Sequence, residues 1–220
     1  LFACSEEPEE LKSPQFELGE IQLLISRDSL PADNYTYAEI ICVVDKRPTA
    51  NDLLVFSTDK GLFANNTSTY SVNVSSSDTT RVYVKYNRPE IARITVSVFG
   101  YDTKEIYLNF IPAYPTKMFI SPDSATLLPL FKSKTIVTSK LIRLNGVVSE
   151  GHFPVYYDSI DVDSGGSIGR FFNSTYSDSQ GNSTVEYWLQ DTSYHGFVYI
   201  KGYVNTDTGR IEGISRILIQ

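Results

Sequence analysis

The residues able to do chemistry in this chain are few and scattered. His152 and His195 are the only histidines. No His-x-x-x-His pair, cysteine pair or carboxylate–histidine spacing around them suggests zinc. His152 follows Gly151 and His195 precedes Gly196, so both are expected in loops rather than as catalytic bases. The chain has no Gly-x-Ser-x-Gly elbow and no glycine loop fit to cradle phosphate. No catalytic residue and no cofactor is therefore expected, and the chain is not read as an enzyme. Asp158, Asp161 and Asp163, ahead of Ser164-Gly165-Gly166, are the only candidate metal ligands, offering hard oxygens suited to calcium. In a strand, Asp161 and Asp163 share one face while Asp158 points the other way. The glutamate that would complete an EF-type loop is missing, so no metal is expected. Three aromatic pairs remain: Tyr156-Tyr157, Phe171-Phe172 and Tyr187-Trp188. Neighbouring strand residues face opposite ways, so one of each pair should point outward. Tyr157, Phe172 and Trp188 are the candidates for stacking on a glycan or meeting a protein partner.

Composition narrows the partner. With 19 basic and 26 acidic residues the net charge is −7, and no basic stripe appears, so nucleic acid is not expected. An anionic membrane surface would repel such a chain, and contact would need a lipid or a protein. Two cysteines cannot organise a disulfide scaffold. Cys42, inside the run Ile40-Ile41-Cys42-Val43-Val44, reads as a small buried hydrophobe. No stretch of about 20 apolar residues is present to span a bilayer as a helix.

The elements that must position these groups are strands. From Gly19 onward, short period-2 segments alternate with turn residues. Strands are expected over 20–26, 37–45, 53–57, 69–75, 81–86, 91–99 and 105–111. Arg81-Val82-Tyr83-Val84-Lys85-Tyr86 alternates as a half-buried strand should. Seven short strands with turns every 8–12 residues or so point to a β-sandwich. Pro112-Ala113-Tyr114-Pro115 breaks the rhythm, because two prolines cannot both sit in a central strand. It reads as a stiff connector. Strands then resume over 116–121, 134–148, 155–162, 167–172, 183–189, 196–205 and 212–219. Almost no helix is expected. The expectation is an all-β chain of two tandem immunoglobulin-like β-sandwich domains, 19–112 and 113–220, after a tether at 1–18.

Several resemblances add to this reading. Leu1-Phe2-Ala3-Cys4 resembles the end of a bacterial lipoprotein signal peptide, which implies that Cys4 carries the lipid. Ser5-Glu6-Glu7-Pro8-Glu9-Glu10 is similar to the acidic export signal of Bacteroidetes surface lipoproteins. Its composition alone indicates a solvated tether. Leu30-Pro31-Ala32-Asp33-Asn34-Tyr35-Thr36-Tyr37-Ala38-Glu39-Ile40 and, further on, Val55-Phe56-Ser57-Thr58-Asp59-Lys60-Gly61 resemble two segments of the bacterial Ig-like domains of group 1, the invasin and intimin repeats. In the second half, residues 177–185 and 196–204 look like that family's turn-and-strand and late-strand patterns. The family's repeats are spacers and adhesin stalks, which implies fold more than function. Asp28-Ser29-Leu30, Asp78-Thr79-Thr80, Asp123-Ser124-Ala125 and Asp158-Ser159-Ile160 resemble a short Bacteroidetes O-glycosylation motif, with Ser29, Thr79, Ser124 and Ser159 as acceptors.

Taken together, the expectation is a non-enzymatic lipoprotein, anchored in the outer membrane and exposed at the cell surface. It would act as an adhesin, a spacer or an accessory subunit of an envelope complex. Its partner would be a protein of the envelope or of another cell. A glycan-binding lipoprotein using exposed aromatics is the alternative.

Overall fold

A computed structural model describes residues 21–44, 53–73, 79–98, 103–173 and 176–220. Cys4 and the acidic run lie outside the described residues. In the first half the described strands are β1 (Ile21–Ile25), β2 (Ser29–Pro31), β3 (Ala38–Val44), β4 (Leu53–Thr58), β5 (Leu62–Phe63), β6 (Thr69–Asn73), β7 (Thr79–Lys85), β8 (Ile91–Val98) and β9 (Lys104–Ile111). They form two sheets, β1-β3-β7-β5 and β2-β9-β8-β4-β6.

Alternation decides which side of each strand faces in. β3 buries Ala38, Ile40, Cys42 and Val44, and β8 buries Ala92, Ile94, Val96 and Val98. These rows meet in one core with Phe56, Phe63, Leu108 and Phe110. Cys42 is fully buried there and unbridged, as its apolar run implies. Burial pushes its thiol up to about 11.

The second half holds β10 (Lys117–Pro122), β11 (Thr126–Leu127), β12 (Lys134–Ile142), β13 (Tyr156–Asp161), β14 (Arg170–Phe172), β15 (Asn182–Trp188), β16 (Gly196–Thr206) and β17 (Gly209–Ile219). Its sheets are β10-β12-β15-β14 and β11-β17-β16-β13. Two buried clusters fill the space between them. One surrounds Tyr187, Val198 and Ile217, and the other surrounds Leu141, Phe153 and Val204. Ile120 and Tyr157 pack against both and join them. Among the described residues there is no helix, and no strand of one half pairs with a strand of the other. The fold is all-β, two immunoglobulin-like sandwiches in tandem.

Strand register fixes the ends. Ile25 pairs with Ile40 near the connector, while Ile21 pairs with Val44 away from it. In the second sandwich Lys117 pairs with Ile142 beside the connector, whereas Lys134 pairs with Trp188 at the opposite end. Ile219 pairs with Leu127 at that same far end. Ile21 and Ile219 therefore stand at opposite extremes of the two-sandwich body.

One expected element is corrected. The sequence reads as a continuous strand over 134–148, but β12 stops at Ile142. Residues 143–150 turn away through Gly146, whose φ of +72° is a left-handed conformation open to glycine. Of the apolar pair that suggested strand, Val147 meets the first half through its N–H, and Val148 is buried in the core of the second sandwich.

Candidate functional site: a polar joint and a distal aromatic tip

The loop that leaves β12 is the joint. Val147 donates its N–H to Asp33 O at 2.8 Å, and Glu150 donates its N–H to Asn87 O at 2.9 Å. Ser149, fully buried, accepts from Ala113 N at 2.8 Å and donates from Oγ to Ala32 O at 3.1 Å. One hydroxyl thus ties the connector to the first sandwich and to the loop of the second. The Glu150 carboxylate accepts from Asn87 Nδ2 at 2.7 Å and from Arg88 Nη2 at 2.6 Å. The Arg88 hydrogen bond holds that carboxyl below its ordinary value of 4.5.

Asp33 anchors the other side. It is 1% exposed, and its Oδ1 accepts from Tyr35 N at 3.0 Å and Thr36 N at 2.7 Å. Its Oδ2 takes the Thr36 hydroxyl at 2.8 Å and lies 3.7 Å from Arg143 Nε of the second sandwich. That buried Nε has no hydrogen-bond partner, and Asp33 supplies its countercharge. Arg143 Nη1 meanwhile donates to Tyr114 O at 3.1 Å in the connector. Gly146 lies so close that a Cβ there would fall 2.4 Å from Asp33 O and 2.8 Å from Tyr35 Cβ. Backbone, serine, carboxylates and guanidinium groups together fasten one sandwich to the other.

The far end of the second sandwich has a different character. Lys134, Trp188 and Arg170 stand side by side in register across β12, β15 and β14, on one face of the sheet. Phe172 meets Trp188 edge-on at 5.7 Å, and Lys134 Nζ lies 5.0 Å from the indole centre. Trp188 Nε1 donates to Glu186 at 2.9 Å, and Lys134 Nζ to the same carboxylate at 3.1 Å. Those two hydrogen bonds, the indole's first, hold Glu186 below its ordinary range. Beyond the row, the loop between β11 and β12 exposes Leu128, Leu130 and Phe131, the last at 82%. Phe131, Lys132, Phe172, Trp188, Leu189 and Gln190 line a cleft of about 270 Å³.

The sequence candidates divide between these places and the body. Phe172 and Trp188 come together at the tip. Tyr157 does not join them, because it points inward. Its hydroxyl shares a hydrogen bond with Ser139 at 2.6 Å, and burial raises its pKa. The outward member of that pair is Tyr156, stacked on Tyr203 at 5.2 Å. Strand alternation gives the opposite faces but not which of the two faces out.

Asp158, Asp161 and Asp163 do not converge, and no group of three potential ligands forms among the described residues. Asp161 instead closes its own turn. It accepts from Ser164 Oγ, from Tyr194 OH at 2.7 Å and from Asp163 N at 3.1 Å, and these bonds pull its carboxyl down to about 2. His152 and His195 are both exposed, with His152 edge-on to Phe153. Of the glycosylation candidates, Ser29 is exposed, and Thr79 and Ser124 are half-buried. Ser159 is buried with its hydroxyl donating to Ile168 O, so in the folded chain it is not on the surface.

Two groups escaped the sequence reading. Gly146 of the joint sat inside a supposed strand, although Asn145-Gly146 is a strong turn signal, and Ser149 and Glu150 fell just past the strand's expected end. Leu128-Pro129-Leu130-Phe131 fell between expected strands, where a run of large apolar residues was itself the sign of an uncovered surface.

The geometry has known counterparts. No family model matches the sequence, and no curated protein sequence does either. Among solved structures, invasin, titled a bacterial integrin-binding protein, superimposes with a TM-score of 0.66 at 15% identity over 91% of this chain. The chain carries the fold of invasin-type Ig-like domains. The Yersinia pseudotuberculosis adhesin InvE follows with a TM-score of 0.55 at 15% identity, again over 91% of this chain. The matched region spans 39% of the invasin chain and 58% of the InvE chain, so each of those proteins extends well beyond what is shared.

Proposed function

We propose that this chain is a non-enzymatic adhesin or spacer of the cell surface, anchored in the outer membrane through lipid on Cys4. On this reading residues 19–112 form the membrane-side domain and 113–220 the outward one, and the tip of the second meets a protein of the envelope or of another cell. The carrying observation is the joint. Hydrogen bonds from Val147, Ser149 and Glu150 fix the second sandwich on the first, with the aromatic tip at the far extreme from Ile21. A rod that holds a contact surface away from a membrane needs both features, and loops on a rigid scaffold commonly carry binding. The likeness to a bacterial integrin-binding protein and to a bacterial adhesin supports the reading through fold alone.

The test is purification of the protein from native membranes. The reading expects a membrane-bound protein that incorporates labelled fatty acid, loses the label in Cys4→Ala, and brings a protein partner with it. A soluble, unlabelled protein that purifies alone contradicts it.

A further inference from the structure

The tip has a chemistry that narrows the partner, and the inference rests on the reading that this end makes the contact. Leu128, Leu130 and Phe131 are 57%, 59% and 82% exposed on one short loop. Large apolar side chains clustered in this way mark interaction sites. The adjoining cleft, at about 270 Å³, falls just below the roughly 300–1,000 Å³ usual for small-molecule sites. It suits one inserted side chain better than an oligosaccharide. Its walls also offer little to sugar hydroxyls: Gln190 and Lys132 are the polar side chains, and the Trp188 N–H is already given to Glu186.

The charges around the cleft favour one sign. Lys132, Lys134 and Arg170 surround it, although the chain as a whole carries −7. Among the described residues Lys132 and Arg170 make no ion pair, and Lys132 Nζ rests 5.3 Å from the Phe131 ring centre. Glu186 answers Lys134, while Asp191 is turned to Ser193 at 2.7 Å. Two cations are thus left open beside three aromatic rings. An anionic bilayer would meet the repulsion of the whole chain, whereas a short acidic segment meets only the tip.

We propose that this tip docks a protein segment bearing one large apolar side chain flanked by acidic residues. The apolar side chain enters the cleft between Phe131, Phe172 and Trp188, and the acids pair with Lys132 and Arg170. Aromatic anchors in a desolvated pocket supply most of the affinity of such contacts, and charge pairs at the rim steer and select.

Trp188 is the only tryptophan in the chain, so its fluorescence reports the cleft directly. A random-peptide library is panned on the full chain and counter-selected on the F131S/K132E variant, whose fold is checked by its melting temperature. The best enriched peptide is then titrated against Trp188 fluorescence. Phosphatidylserine vesicles and heparin are run as separate arms. The proposal expects enriched peptides with a leucine or aromatic residue between acids and a saturable change in Trp188 emission. Affinity should fall about tenfold or more in F131S/K132E and again in R170E. It is overturned by no enrichment, by neutral or basic peptides, by binding indifferent to both variants, or by vesicles or heparin moving Trp188 when acidic peptides do not. Any of these would leave the adhesin reading standing, since membrane partition and co-purification test that separately.

Discussion

The joint and the tip lie at opposite ends of the same strands, and they treat polar and apolar groups in opposite ways. At the joint, the backbone N–H groups of Val147 and Glu150 and the buried Ser149 hydroxyl find partners in the first sandwich, Asp33 is bonded within its own loop and faces Arg143, and a glycine is held where no side chain fits. At the tip, Leu128, Leu130 and Phe131 stand uncovered, with Lys132 and Arg170 open beside them. Apart from Arg143 Nε, which has only the Asp33 countercharge, paired polar groups mark where the chain meets itself, and leaving such a group unpaired in the interior costs about 1–3 kcal/mol. Uncovered apolar groups mark a surface kept for something else. Substitutions should therefore damage folding at one end and contact at the other.

The largest effect is expected from Gly146→Val, which combines a left-handed backbone with a Cβ 2.4 Å from Asp33 O. It should cost at least about 3 kcal/mol or separate the two unfolding transitions, as read by calorimetry. Unchanged, single-transition melting would erase the contrast. Next comes Asp33→Ala, which strips partners from Tyr35 N and Thr36 N and leaves Arg143 without its countercharge. A loss of about 2–3 kcal/mol in chemical denaturation is expected.

A smaller effect should come from acid. Glu150 has a depressed pKa, held down first by the Arg88 hydrogen bond. Its contribution is therefore present above the unfolded value of about 4.5 and fades as pH falls through the lower folded value. The pair is partly exposed, so the change should stay near or below about 1 kcal/mol. It should vanish in Glu150→Gln, when wild type and variant are melted across that pH range. The smallest effect on stability belongs to the tip. F131S and K132E should each melt within about 0.5 kcal/mol of the parent. A large loss there would mean that the tip is core.

How much of this was legible in the sequence varies by feature. Strand alternation in segments such as Arg81–Tyr86 carried the all-β architecture, because burial on one face imposes period 2 directly. The Pro112–Pro115 break placed the connector for an equally local reason. Gly61 and Gly181, each at φ +81° with a backbone carbonyl 2.6 Å from where a Cβ would stand, occur in the turns that the family-like segments suggest. Pairings between distant segments were not legible. β2 runs parallel to β9 over three residues, and nothing in Ser29-Leu30-Pro31 announces a partner at Asn109 to Ile111. The joint was hidden for the same reason, since Ser149 acts through Ala32, 117 residues away. At the tip, alternation put one member of each aromatic pair on the outer face, but the choice of Phe172 and Trp188 and their union with Phe131 and Lys132 depend on packing and on how the loop folds over. Tyr157 shows the remaining ambiguity: period 2 gives two faces and leaves packing to choose between them.

The central claim is that the joint makes the two sandwiches one body. The direct measurement is the electron–electron distance distribution between spin labels at Gln22→Cys and Thr192→Cys, both exposed sites near opposite extremes, in a Cys4→Ser background. Buried Cys42, with its raised pKa, should stay unlabelled. A single narrow distribution that broadens in Gly146→Val is the expected result. A broad or multiple distribution in the parent chain would show two domains swinging on a loose tether and would contradict the account.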